Sequence, residues 1–205
     1  MSAPAEVVAL QPSQLDAAGD VLARAFFDDP LSVYLFPDEA KRLDQLRWLY
    51  RGSARYAHRY GETYATPALE GVALWLPPER PHPSQLGMVR VGMGLAPLKF
   101  GPGWLRRSVA AMNALDERHK LDVAPRHWYL FLLGVDSPRQ RQGMGGRLIE
   151  PVLTRAAADG VTCYLDTTNE RNVAFYRKHG FEVVTSGEVP NRGPRFWTMT
   201  RPPRG

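Results

Sequence analysis

Two periods of apolar and polar residues alternate along the chain, and each change of period marks an element. Residues 128–135 read W-Y-L-F-L-L-G-V, a continuous apolar run closed by Asp136-Ser137-Pro138, which predicts a buried strand. Shorter runs predict strands at 6–10, 63–66, 72–76, 161–166, 181–184 and 195–200. Helical spacing places Leu15, Val21, Leu22, Ala25 and Phe26 on one face behind a cap at Ser13, and Asp28-Asp29-Pro30 breaks that helix. A second helix is expected over 38–60, where Leu43, Leu46, Leu49 and Tyr50 recur and Gly61 ends the pattern. After the strand at 128–135, a helix is expected over 144–159, closed by Gly160. A short helix over 172–179 ends at Gly180. Pro151 falls near the start of the 144–159 helix, where proline is tolerated.

Residues 79–126 carry Pro81, Pro83, Pro97, Pro102 and Pro125 among helical stretches. They read as a helical insertion without a core of its own. The order β-α-α-β-β, insertion, β-α-β-α-β-β predicts a mixed α/β fold, one domain over 1–205.

Composition narrows the setting. At 205 residues the chain can bury a core without staples. The single cysteine, Cys163, excludes an internal disulfide and fits a reducing cytoplasm, and its apolar neighbours make it a core residue. No apolar run approaches the length of a membrane span, and the N-terminus lacks a signal-peptide pattern. The net charge of +5 is almost all arginine, interleaved with acids and without a nucleic-acid-binding motif. Neither nucleic acid nor membrane is therefore an expected partner. No His/Cys/Asp grouping has metal-ligand spacing, and His127 and His179 read as structural. A monomer and a homodimer fit equally well.

The chemistry is concentrated between the strand at 128–135 and the helix after it. Arg139-Gln140-Arg141-Gln142-Gly143-Met144-Gly145-Gly146-Arg147 forms a glycine-rich turn at a helix start. The first amides of a helix are unpartnered and its dipole favours negative charge, so this is either an anion site or a tight turn that binds nothing. The glycines keep side chains clear of an approaching phosphate. The turn is no dinucleotide fingerprint, because the glycines are not spaced G-x-G-x-x-G. It is no P-loop either, because no G-K-S/T follows.

Two motifs together give a resemblance. Gln140-x-x-Gly143-x-Gly145 is similar to the acyl-CoA signature of the GNAT superfamily of N-acyltransferases. Asn169 to Phe181, ending F-Y-R-K-H-G-F, is similar to that superfamily's second signature. Over 128–201 the chain looks closer still to the puromycin N-acetyltransferase group, through L-D-T-T-x-x-R-N-V-x-F-Y and the V-P-x-x-G-P-R-x-W-x-M-T-R ending.

The resemblance implies a GNAT fold with splayed central strands, a helical insertion before the fourth strand and an acyl-CoA core over about 127–201. It implies acetyl-CoA as co-substrate, no metal and an amine acceptor, small and antibiotic-like or a protein amino group. Main-chain groups at Leu133, Gly134 and Val135 would meet the pantetheine, and one N–H would polarise the thioester carbonyl. Gln140, Arg141, Gln142, Gly143, Met144, Gly145 and Gly146 would receive the pyrophosphate. Asn169 or Asn172 would touch the cofactor, with a helix cap as the other role for either. Tyr176 is the candidate general acid at the leaving sulfur, unless it only packs on the core.

The fourth strand carries no acid to serve as general base. Asp166 is the first candidate, followed by Asp28 and Asp29. Phe26, Phe27, Tyr34, Phe36, Trp75, Trp104 and Trp197 are candidate acceptor-pocket aromatics. A non-catalytic acyl-CoA-binding domain is the alternative that the missing acid keeps open.

Overall fold

The computed structural model describes residues 7–203. Its elements run β1 (Val8–Ala9), α1 (Leu15–Ala25), α2 (Pro30–Leu35), α3 (Glu39–Tyr60), β2 (Glu62–Ala65) and β3 (Gly71–Leu76). Then come α4 (Gln85–Arg90), α5 (Ala96–Asp122), β4 (Trp128–Val135), α6 (Met144–Ala158), β5 (Cys163–Thr167), α7 (Glu170–Lys178), β6 (Glu182–Glu188) and β7 (Arg195–Arg201). The strands form one sheet in the order β1-β2-β3-β4-β5-β7-β6, with β4 and β5 parallel and every other pair antiparallel.

Strand alternation divides the core into two layers. Val72 and Leu74 of β3 face α1 and α3, against Leu22, Leu46 and Tyr50. Ala73 and Trp75 face the opposite way, onto Leu148, Ile149, Val152 and Leu153 of α6. The insertion between β3 and β4 supplies α4 and the long α5, which kinks at Gly101 (φ 79°) just before Pro102.

Several boundaries differ from the expected ones for local reasons. Ser13 does not cap α1; it lies in a 3-10 turn over Pro12–Gln14, where the Gln14 side chain accepts from Gln11 N. The Asp28-Asp29-Pro30 breaker also starts a helix. Asp29 caps α2 by accepting from Leu31 N at 3.0 Å, and Pro30 takes the first helical position, where its missing N–H costs nothing. α7 begins at Glu170 rather than 172, because Asn169 accepts from Arg171 N at 3.1 Å. β6 extends to Glu188 by pairing with Arg195. The first strand is Val8–Ala9, and Glu6 lies outside the described residues.

The feature that positions the site is the failure of β4 and β5 to stay together. They pair only at Trp128↔Cys163 and Tyr129↔Tyr164. Beyond that, β5 continues on β7 and β4 continues on β3. The cause lies in β4. Its register against β3 jumps from Leu130↔Trp75 to Leu132↔Leu74, leaving Phe131 as a bulged residue. A bulge adds a residue to one strand and bends it. Consistently, Phe131 and its neighbour Leu132 both pack toward the α1/α3 layer.

Candidate active site

Splaying leaves one edge of β4 from Leu130 to Val135 without a partner strand among the described residues, in the middle of a sheet. Phe131, Leu132 and Leu133 are half-exposed there, whereas Trp128, Tyr129 and Leu130 before the bulge are buried. Unpaired N–H and C=O groups in a sheet interior invite an extended ligand to pair with them. The edge carries Leu133, Gly134 and Val135. On the strand's other side these three pair with Ala73, Val72 and Gly71 of β3.

The glycine-rich turn closes this end of the cleft. Ser137–Arg139 forms one 3-10 turn, and the Gln140 side chain donates to Val135 O at 3.0 Å, folding the turn back on the strand end. Arg141 (φ 63°) and Gly143 (φ 76°) are both left-handed. No side chain caps α6, whose N-cap is Gly143. A Cβ at Gly143 would meet nothing within 4 Å, so the glycine answers to its φ and its face is open. Gly145 and Gly146 have a different reason. A Cβ there would lie 3.1 Å from Phe175 and 2.6 Å from the His179 ring, so both glycines admit α7 rather than only clearing space for a ligand.

The charges around the turn are unequal. Arg139 pairs with Glu70 at 2.8 Å, whereas Arg141 is exposed. Arg147 is half-buried, and its Nε has no partner. The turn thus offers uncapped amides and a guanidinium N–H short of an acceptor, a set that fits a phosphate.

At the other side of the opening stand two carboxylates and a phenol. Asp166 shares the face of Tyr164 on β5, and Tyr129 OH donates to its Oδ2 at 2.7 Å. Asp29, between α1 and α2, accepts from Leu31 N at 3.0 Å and from Thr168 Oγ1 at 2.9 Å, both on Oδ1. Asp166 Oδ1 accepts no hydrogen bond among the described residues, the Ser32 N–H also favours the ionised form of Asp29, and neither carboxylate pairs with a Lys or Arg among the described residues. Burial raises both pKa values above the ordinary carboxylate value, and the charge on Asp29 raises Asp166 further.

Tyr176 packs in the α6 layer and is 7% exposed. Its hydroxyl makes no hydrogen bond within the described residues, and it is not walled off from solvent. Burial raises its pKa, with smaller contributions from Asp166 and Asp29. A phenol from one layer feels carboxylates from the other because the strands between them have parted.

The remaining candidates separate. The Asn169 side-chain oxygen is spent on the α7 cap, whereas Asn172 donates to Thr167 Oγ1 at 3.3 Å and retains its amide oxygen. Asp28, next to Asp29 in the chain, is exposed and makes no side-chain hydrogen bond or salt bridge among the described residues. Trp75 and Phe36 are core residues, the first against Trp128 and the second against Phe100 and Trp104. Trp197 faces a groove between α7 and β6. Phe26 and Phe27 remain half-exposed, and Phe26 lies 5.3 Å from the Tyr50 ring.

His127 has a partner that its sequence neighbourhood did not show, His119 of α5, with the two Nε2 atoms 2.7 Å apart. His127 Nδ1 donates to Ala124 O, so its Nε2 accepts from His119. A cavity of about 480 Å³ between α5 and the β6–β7 hairpin is lined by Asn113, Glu117, Arg118, Ser186 and Phe196 and contains none of the carboxylates just described.

Known proteins resemble this chain in sequence and in fold. A profile of the acetyltransferase (GNAT) family matches residues 99–181, a stretch that holds β4, the turn, α6, β5 and α7. An uncharacterized N-acetyltransferase of Schizosaccharomyces pombe is 28% identical over 173 residues, covering 80% of this chain and 69% of that protein. A Corynebacterium glutamicum structure described as histone acetyltransferase HPA2 and related acetyltransferase superposes with a TM-score of 0.65 at 20% identity, covering 97% of this chain and 96% of that one. Arylalkylamine N-acetyltransferase 2 of Aedes aegypti superposes with a TM-score of 0.60 at 14% identity, covering 97% and 99%. The parted stretch of β4 and the glycine turn at the start of α6 both fall within the region that the acetyltransferase profile matches. Residues 99–181 are similar to the acetyltransferase (GNAT) family, and the chain shares the fold of the acetyltransferase structures it superposes on.

Proposed function

We propose that the protein transfers the acetyl group of acetyl-CoA to the primary amine of a small molecule, by direct attack in a ternary complex. The observation that carries this reading is the parting of β4 and β5 after Tyr129↔Tyr164, which opens a main-chain edge between the glycine turn and the carboxylates. Leu133, Gly134 and Val135 supply amide groups to the pantetheine, and one N–H polarises the thioester carbonyl. Gln140, Arg141, Gln142, Gly143, Met144, Gly145 and Gly146 hold the pyrophosphate. Of the two asparagines, Asn172 is the better cofactor contact because its amide oxygen is free.

Acetyl-CoA brings an acyl group activated as a thioester. Asp166 takes the proton that the acceptor ammonium must lose before its nitrogen can form the new C–N bond. Tyr176 gives a proton to the sulfur as the C–S bond breaks. A raised pKa suits both roles: it makes Asp166 a stronger base and keeps Tyr176 protonated.

A small acceptor is favoured over a protein chain by the closure around α2. Tyr34 OH donates to Pro190 O at 3.0 Å, and Leu31 and Tyr34 pack on Val189 and Phe196. These contacts hold α2 against the β6–β7 turn. The half-exposed Phe26 and Phe27 suit an acceptor with an apolar body. The chain acts as one catalytic unit, in the cytoplasm, where this co-substrate is available.

Calorimetric titration with acetyl-CoA tests the reading, with saturable binding expected at one site per chain. No heat of binding at millimolar acetyl-CoA would overturn it.

A further inference from the structure

Two half-buried carboxylates without a cation beside them are unusual, because an unpaired buried charge is costly. Asp29 and Asp166 are in that position: each is engaged by neutral donors alone among the described residues. Asp29 is bonded at 2.9 Å to Thr168, two residues beyond Asp166, and its charge disfavours ionisation of Asp166. The Tyr176 hydroxyl, on a side chain more than nine-tenths buried and without a hydrogen-bond partner, lies within the field of both. The missing counter-charge is what a ligand would bring.

We infer that Asp29 selects the acceptor: with Asp166 it seats the ammonium of a small amine that carries no carboxylate beside its nitrogen. The inference rests on the acetyltransferase reading above and sharpens it to a substrate class. The two carboxylates have different tasks. Asp166, on β5, receives the proton when the amine is released for attack. Asp29 forms no covalent bond and exchanges no proton. It attracts the cation and repels an α-carboxylate, which separates amines from the corresponding α-amino acids.

The chain holds Asp29 firmly for this task. Its Oδ1 is fixed by the α2 amide and by Thr168, just beyond β5, a contact that spans 139 residues of sequence. The other end of α2 is pinned as well. Arg107 binds Leu35 O through Nε and Nη2, and Arg42 binds Phe36 O at 2.8 Å. Neither guanidinium bonds to Asp29.

The test is steady-state kinetics by thiol release, with matched pairs such as tryptamine and tryptophan or tyramine and tyrosine. The wild type is expected to favour the amine in kcat/KM by about a hundredfold, since like charges brought together cost several kcal/mol. Asp29→Asn is the key variant, because Asn caps a helix as well as Asp does and α2 keeps its start. It is expected to raise KM for the amine about tenfold, the scale of one lost charged hydrogen bond, and to narrow the preference over the amino acid. KM for acetyl-CoA should not move.

Thr168→Val, which removes one of the two donors to Oδ1 and keeps the charge, should shift amine KM in the same direction by less. That variant carries the test if Asp29→Asn folds poorly. Equal use of amine and amino acid by the wild type would overturn the inference. So would kcat, amine KM and acetyl-CoA KM that change together in Asp29→Asn, or an unaltered amine KM in both variants. Those results would leave the acetyltransferase reading standing. Absence of thiol release with every amine would remove that reading and the inference with it.

Discussion

Under the proposed mechanism Tyr176 and Asp166 have separable tasks, so their variants should fail in different ways. Tyr176→Phe keeps the ring packed against Phe175 and Phe181 and removes only an unengaged hydroxyl. Its kcat should fall about a hundredfold, the lower range of general acid catalysis, with acetyl-CoA affinity unchanged by calorimetry. Full activity would remove Tyr176 from the acid role. Asp166 works only when ionised, and burial holds its pKa above 3.8. The acid limb of the kcat/KM profile should therefore lie above that of a free aspartate. Asp166→Asn should lower kcat by about 10² or more and abolish the limb. Asp166 was legible as an acid at the end of the fifth strand. Asp29 ranked behind it in the sequence because its position depends on Thr168, which no local pattern links to it.

Among the elements, the glycine turn and α7 act as one unit. Gly146→Val would drive side-chain carbons into His179, starting 2.6 Å from the ring, and so push α7 and Tyr176 away from the cleft. We expect about 1–3 kcal/mol of destabilisation by thermal melting, together with weaker acetyl-CoA binding. Gly143→Ala should also weaken binding, through its left-handed φ, but without a clash. The sequence displayed these glycines as a phosphate motif. It did not display that two of the three serve helix packing, because their neighbours come from a later helix.

The insertion is tied in by chemistry that only folding reveals. His119 and His127 are held neutral by burial, with pKa values lowered to about 2 and about 4. Their ordinary value of 6.5 is recovered on unfolding, so the unfolded chain takes up protons first. The stability they contribute is complete above pH 6.5 and is lost as pH falls toward about 4. Asp29 and Asp166 act in the opposite sense, with a contribution present at low pH and lost as pH rises through their raised values. Comparing variants isolates the histidines: Tm should drop from pH 7.5 to 5 more in the wild type than in His119→Gln. Equal drops would mean that the pair is not the titrating element.

At the scale of the whole molecule, the fold exists to hold two strands apart. The order of strands and helices was legible because their apolar runs and glycine stops are local signals. The parting of β4 from β5 was expected only from the family resemblance. In W-Y-L-F-L-L-G-V nothing marks Phe131 as the extra residue, since a bulge is defined by the partner strand. α2 was hidden by its own start signal, a proline that reads as a breaker. The His119–His127 contact and the α2–hairpin closure join segments that the sequence keeps apart. Under the proposed mechanism one side of this opening is a donor cleft and the other an acidic acceptor seat. Joining them is the central claim, and one measurement addresses it: release of CoA thiol from acetyl-CoA in the presence of small cationic amines. The expected result is release that saturates in both substrates, with one N-acetylated amine formed per thiol. No amine-dependent release at millimolar acetyl-CoA, from a protein that binds acetyl-CoA, would contradict it.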